Sequence, residues 1–182
     1  MEILKQLDIE TPLDQKVTPR IGLVTLANPL KDCDIIRRHE QELVQNLRAF
    51  GAIPVIGGNL VMGHDSLMPV MEQLRQQNVH GLFVVLGSYT SDAILLEVAA
   101  SYSGPLLIWA PAEQLSPEAF PPFASLVGLT QSTGTLKRFG YHPHPLYGAC
   151  DSQEFGKDLS RFLRVISASE TLRHARIGRI GP

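Results

Sequence analysis

Gly81-Leu82-Phe83-Val84-Val85-Leu86 is the stretch on which the reading of this chain turns. It contains no charged residue. A strand with one face in water alternates apolar and polar side chains. An unbroken apolar run of this length belongs to a strand buried on both faces, as in a parallel sheet covered by helices. Outward from it, Ile21-Gly22-Leu23-Val24-Thr25-Leu26, Ile53–Ile56 and residues 106–110 are short runs of the same kind. Helical stripes separate them: Ile36, Leu43, Leu47 and Phe50; then Leu67, Val70, Met71 and Leu74; then Ile94, Leu95, Val98 and Tyr102. Gly51 stands where a helix C-cap is expected, Asp65 or Ser66 and then Thr90 or Ser91 can cap the next two helices, and Pro69 is tolerable only in a first turn.

Beyond the proline-rich residues 111–122, residues 125–129 read as a brief extended stretch and residues 130–139 as a helix. Residues 145–147 supply one more short strand. Asp151-Ser152-Gln153-Glu154 has capping-box spacing ahead of the stripe Phe155, Leu159, Phe162, Leu163 and Ile166. Strands alternating with amphipathic helices imply right-handed crossovers and a sheet covered on both faces. The expected fold is α/β, a three-layer doubly wound parallel sheet of about five strands in the flavodoxin-like order 2-1-3-4-5. Residues 1–19 read as a polar arm and residues 20–175 as the domain. Residues 176–182, whose Arg-Ile-Gly start resembles Arg20-Ile21-Gly22, read as a strand leading into a second domain or as a solvated tail.

The composition agrees with one globular domain: 182 residues, 44% hydrophobic and 19% charged. Sixteen Lys and Arg against 18 Asp and Glu leave a formal charge of −2, which gives no electrostatic footprint for nucleic acid. No apolar run approaches the ~20 residues of a membrane span, and residues 1–8 lack the basic start and apolar core of a signal peptide. The expected address is the cytoplasm. Cys33 and Cys150 form neither a CxxC pair nor a zinc set, so they read as reduced structural thiols.

Ligands of open parallel sheets bind beyond the carboxyl ends of the strands, which directs attention to residues 27–34, 87–92, 111–114 and 130–135. Asn28, Ser88, Tyr89, Thr90, Gln131, Ser132 and Thr133 are neutral hydrogen-bonding groups suited to the hydroxyls of a sugar or polyol, though each also suits a turn or cap. Ser132-Thr133-Gly134-Thr135 has the composition of a phosphate cradle at a helix start. The residues after the first strand have no glycine, however, and no GxGxxG or Walker sequence follows any strand, so nucleotide cofactors lack support. His142-Pro143-His144, with Cys150 or Asp151 nearby in sequence, reads as a metal site or as a solvated loop. Asp92 and Glu113 read as an acid/base pair or as helix-start and loop residues. Lys157, Arg161 and Arg164 lie on one helix face and read as solvated.

Three segments carry a more specific likeness: Ile21-Gly22-Leu23-Val24; Gly81 through Asp92 with Leu106-Leu107-Ile108-Trp109-Ala110; and Ser125-Leu126-Val127-Gly128 running into residues 130–140. Together they resemble the N-terminal domain of the L-fucose isomerase-like family, itself related to L-arabinose isomerases. The resemblance implies a cytoplasmic aldose–ketose isomerase of carbohydrate metabolism. It also implies a longer chain, whose manganese or other divalent-metal ligands and catalytic carboxylates lie in later domains. This chain would then hold no cofactor, metal ligand or catalytic residue of its own. Such domains supply polar substrate contacts, often to a neighbouring subunit, which implies a homo-oligomer. The matching positions are Asn28 and Gln131 with Ser132; Thr130 replaces an Asn of the arabinose isomerase pattern, and Thr133-Gly134 replaces His-Gly. The expectation is therefore a substrate-binding and assembly domain using Asn28, Ser88, Tyr89, Gln131 and Ser132. The alternative is a stand-alone small-molecule sensor or regulatory module.

Overall fold

The computed structural model describes residues 17–31, 33–113 and 123–175. Most of the expected arm and all of residues 176–182 lie outside the described residues. Elements run β1 (Arg20–Leu26), α1 (Cys33–Ala49), β2 (Ile53–Ile56), α2 (His64–Gln76), β3 (Gly81–Leu86), α3 (Asp92–Ser101), β4 (Leu106–Pro111), α4 (Ser125–Arg138), β5 (His144–Gly148) and α5 (Gln153–His174). The five strands form one parallel sheet in the order β2-β1-β3-β4-β5, the expected doubly wound arrangement.

Every residue of β3 and β4 is buried. Their alternate side chains feed two cores. Val24, Leu82, Val84, Leu86 and Ile108 pack with α2, α3 and α4. Leu23, Phe83, Val85, Leu107 and Trp109 pack with α1 and α5. In the second core Trp109 meets Phe155 edge-on at 5.3 Å and Phe83 at 6.3 Å, and its Nε1–H donates to the Gly148 carbonyl at 2.9 Å. That bond satisfies the one polar atom of a side chain only 1% exposed. Thr25, the polar residue within the first apolar run, donates its hydroxyl to the Glu40 carboxylate.

Three local expectations are corrected. Residues 125–129 are not extended; they are the first turn and more of α4. The reason is a distant cap: the Glu113 carboxylate accepts from the Ser125 N–H at 2.5 Å and from the Ser125 hydroxyl at 2.8 Å, and Ala124 turns the chain in a left-handed conformation (φ 54°). α2 starts earlier than expected: Gly63 is its N-cap, so Asp65 and Ser66 lie inside the first turn, with the Ser66 hydroxyl accepting from the Gly63 N–H at 3.1 Å, and Pro69 falls in the second turn, not the first. Ser152 rather than Asp151 caps α5, accepting from the Phe155 N–H at 3.1 Å, so the reciprocal position is an apolar Phe. Gly51 ends α1 as expected, at φ 77°.

Gly87 marks where the sheet and α1 come closest. A Cβ there would lie 2.4 Å from Ile36 Cγ2 and 2.9 Å from the Leu26 carbonyl. The second contact is to backbone and cannot yield. Gly87→Ala is therefore expected to cost about 1–3 kcal/mol. Gly134→Ala, inside α4 with nothing within 4 Å of the added carbon, is expected to stabilise by about 0.5–1 kcal/mol. Urea midpoints of the two variants check both signs.

Candidate functional site

The carboxyl ends of β1 and β3 lie side by side where the strand order reverses, and the polar residues just beyond them interlock. The Asn28 N–H donates to Ser88 Oγ at 2.8 Å, while Asn28 Oδ1 accepts from the Leu30 N–H at 2.9 Å. Asn28 thus closes its own turn and is tied to the next strand end. Ser88 is fully buried, and the Tyr89 N–H donates to the Phe123 carbonyl at 2.7 Å. Ser91 caps α3, accepting from the Ala93 N–H at 3.3 Å.

Asp92, the first residue of α3, collects three donors from α4: Gln131 Nε2 at 3.1 Å, Ser132 Oγ at 3.2 Å and Thr135 Oγ1 at 2.7 Å. Tyr89 donates its hydroxyl to Gln131 Oε1 at 3.1 Å. Tyr89, Gln131 and Ser132 are therefore assembled into one cluster through a carboxylate. Gly128, one turn before Gln131 and Ser132, packs against Tyr89, where a Cβ would make only ordinary contact, 3.5 Å from Tyr89 Cα. Ser132 is 1% exposed, whereas Tyr89 is 38% exposed and Gln131 faces solvent. Thr90 and Thr133 are buried, and their hydroxyls have no hydrogen-bond partner among the described residues.

Residues 130–135 do not open a helix; they lie inside α4, and their N–H groups belong to its interior rather than to a phosphate cradle. Asp92 and Glu113 are each engaged separately, Asp92 by α4 side chains and Glu113 by Ser125. His142 and His144 line a hollow of about 440 Å³ with Leu106 and Phe162, at the amino ends of β4 and β5. Cys150 and Asp151 lie past the other end of β5, so the strand separates the groups the sequence places near one another. Among the described residues no three His, Cys, Asp or Glu side chains are grouped so as to hold a metal ion. The described residues do not fit a manganese site.

A concavity at the carboxyl edge, on the α1 side, has no counterpart among the expected site residues. It is a groove of about 530 Å³ whose lining includes His39, Glu42, Asn46, Trp109 and Asp151. The signal for it was present as His39, Glu42 and Asn46 recurring at threes and fours along α1, beside its buried stripe of Ile36, Leu43 and Leu47. Asn46 Nδ2 lies 3.1 Å from the Cys150 carbonyl and 2.8 Å from its sulfur. Burial pushes the Cys150 thiol up to about 11, so it stays protonated and unreactive at neutral pH.

The family model for the fucose/sulfoquinovose isomerase N-terminal domain matches residues 35–173. The chain belongs to this family. No curated protein matches it in sequence. Among solved structures it is similar to the lac repressor dimer bound to operator and the anti-inducer ONPF, at 14% identity, and to the lac repressor bound to ONPG in the repressed state, at 15%. Each match covers 81% of this chain, with a TM-score of 0.44. The chain spans about half the length of those structures, 54% and 55%. Both are distant likenesses. No helix among the described residues of this isomerase-family domain is long and apolar enough to cross a membrane.

His39 gives the groove a pH signature. Its imidazole packs edge-on to Trp109 at 6.2 Å, its buried Nδ1 has no partner, and burial lowers its pKa from 6.5, with Glu42 opposing and Arg38 assisting. A lowered value means that the unfolded chain takes the proton first. The contribution to stability is complete above 6.5 and is lost as pH falls from there through the folded-state value. His39→Phe keeps a ring against Trp109 and removes the titration. Its urea midpoint should fall less than that of the unsubstituted chain between pH 7.5 and pH 5, window ends chosen to bracket the ordinary value by roughly a unit or more.

Proposed function

We infer that this domain holds and orients a sugar for the aldose–ketose isomerisation carried out by a full-length, cytoplasmic L-fucose isomerase-like protein, and that it has no catalytic group of its own. The observation that carries the reading is the Tyr89–Gln131–Asp92–Ser132 cluster. Neutral hydrogen-bonding side chains from two separate segments meet beside the strand ends where open sheets bind ligands. Tyr89, Gln131 and the Asn28 side chain supply donors and acceptors toward a polyol. Ser88 and Ser132, both buried, hold the strand end and α4 in place behind them.

Moving hydrogen between adjacent sugar carbons needs a base or a polarising metal held against both oxygens. In this reading those groups, manganese included, come from other parts of the full-length protein. The assembly role has its own support. Leu126 and Val127, in the first turn of α4, are 44% and 55% exposed, and Val127 lies one turn before Gln131. An apolar surface beside a polar mouth suits coverage by a neighbouring subunit.

Titration of the ¹⁵N-labelled chain with L-fucose tests the reading. Millimolar affinity is expected, about 4 kcal/mol, with amide shifts at Asn28, Ser88, Tyr89, Gln131 and Ser132. Shifts confined to the His142 and His144 hollow, or none at all, would contradict it.

A further inference from the structure

The direction of the hydrogens in the Asp92 cluster is fixed by the one member that has none to give. An ionised carboxylate only accepts. Ser132 and Thr135 each have one hydroxyl hydrogen, and both reach Asp92, at 3.2 and 2.7 Å. Gln131 is the pivotal group. A primary amide can be turned over at little cost, exchanging its donor and acceptor ends. With Nε2 3.1 Å from an Asp92 oxygen, the donor end is held there and Oε1 is aimed at Tyr89. The Tyr89 hydroxyl hydrogen must then point inward, along the 3.1 Å contact to Gln131 Oε1. What remains outward on the Tyr89 oxygen is a pair of lone pairs, on a side chain 38% exposed.

We propose that Asp92 is a positioning residue that makes Tyr89 an acceptor, so that the mouth selects a ligand hydroxyl able to donate a hydrogen. This rests on the reading of the cluster as a sugar site. Asp92 itself touches no ligand; it acts through Gln131. In Asp92→Asn the side chain offers hydrogens as well as a lone pair. Gln131 is then free to turn over, its Nε2 faces Tyr89, and the Tyr89 hydrogen is released outward. Selection for a donor is lost although each atom near the ligand remains in place.

The probes are L-fucose and its 2-, 3- and 4-monofluoro analogues, because a carbon-bound fluorine cannot donate. The unsubstituted chain is expected to bind one analogue about threefold to tenfold more weakly than L-fucose, the range for one hydrogen bond. Asp92→Asn should reduce that gap to within about twofold. Tyr89→Phe, on a partly exposed ring, should do the same and keeps the test independent of any loss of fold in Asp92→Asn. A ligand-free readout accompanies it: the two Gln131 side-chain amide protons should be well separated in the NMR spectrum of the unsubstituted chain and change position in Asp92→Asn. Unchanged fluorine discrimination in a folded Asp92→Asn, or unmoved Gln131 protons, overturns the role of Asp92 while leaving sugar binding intact. Absence of any L-fucose binding by the unsubstituted chain defeats the sugar reading and the selectivity with it.

Discussion

The parallel pairing of β1 with β3 is the constraint on which the rest of the structure depends. It runs from Ile21↔Gly81 to Leu26↔Leu86, and apart from the ends nearly every side chain along it is buried. Two adjacent strands that expose neither face must have helices on both, and parallel strands cannot be joined without crossovers that supply them. The same pairing brings two strand ends to one point with the chain leaving in opposite directions, β1 toward β2 and β3 toward β4. That such a point is where open parallel sheets bind ligands is a consequence of topology before any particular side chain is considered.

That edge is polar because of the residues at the exit of each strand. Gly87 admits the first turn of α1 against the strand ends, Ser88 receives the Asn28 amide, and the next four residues carry Tyr89 to the mouth and Asp92 into the start of α3. Asp92 then does for α4 what the β1–β3 pairing does for the sheet. It fixes the position of Gln131 and Ser132 relative to Tyr89, across 39 to 43 residues of chain. The arrangement of these side chains is fixed by hydrogen bonds between segments far apart in the chain.

β1, β3 and β4 were legible because burial on both faces leaves runs such as Gly81–Leu86 that no amphipathic pattern imitates, whereas the edge strands β2 and β5 are partly exposed and were read from their short apolar runs alone. α1, α2 and α3 were legible by their stripes, and α1 and α3 also by their caps, Gly51 and Ser91; the start of α2 falls earlier than Asp65 or Ser66, at Gly63. The start of α4 was not, because its capping group, Glu113, is 12 residues upstream, and a cap formed at that distance has no local signature. For the same reason the sequence offered Tyr89, Gln131 and Ser132 separately but not the carboxylate that joins them. Asp92 read as helix-start charge, which is also true of it, or as half of an acid/base pair with Glu113, from which the structure separates it. The two histidines at 142 and 144 show the converse error of reading neighbours in sequence as neighbours in space, since β5 carries Cys150 and Asp151 to the opposite edge of the sheet.

If a sugar lies against Tyr89 and Gln131 at the carboxyl edge of the sheet, a crystal structure of the chain grown with L-fucose is the most direct measurement of it. The expected result is a sugar hydroxyl within about 3.2 Å of the Tyr89 oxygen, the outer limit of an ordinary hydrogen bond, with Gln131 still turned toward Asp92. A sugar seated instead in the His39–Asp151 groove, with the Tyr89 oxygen facing only solvent, would contradict it.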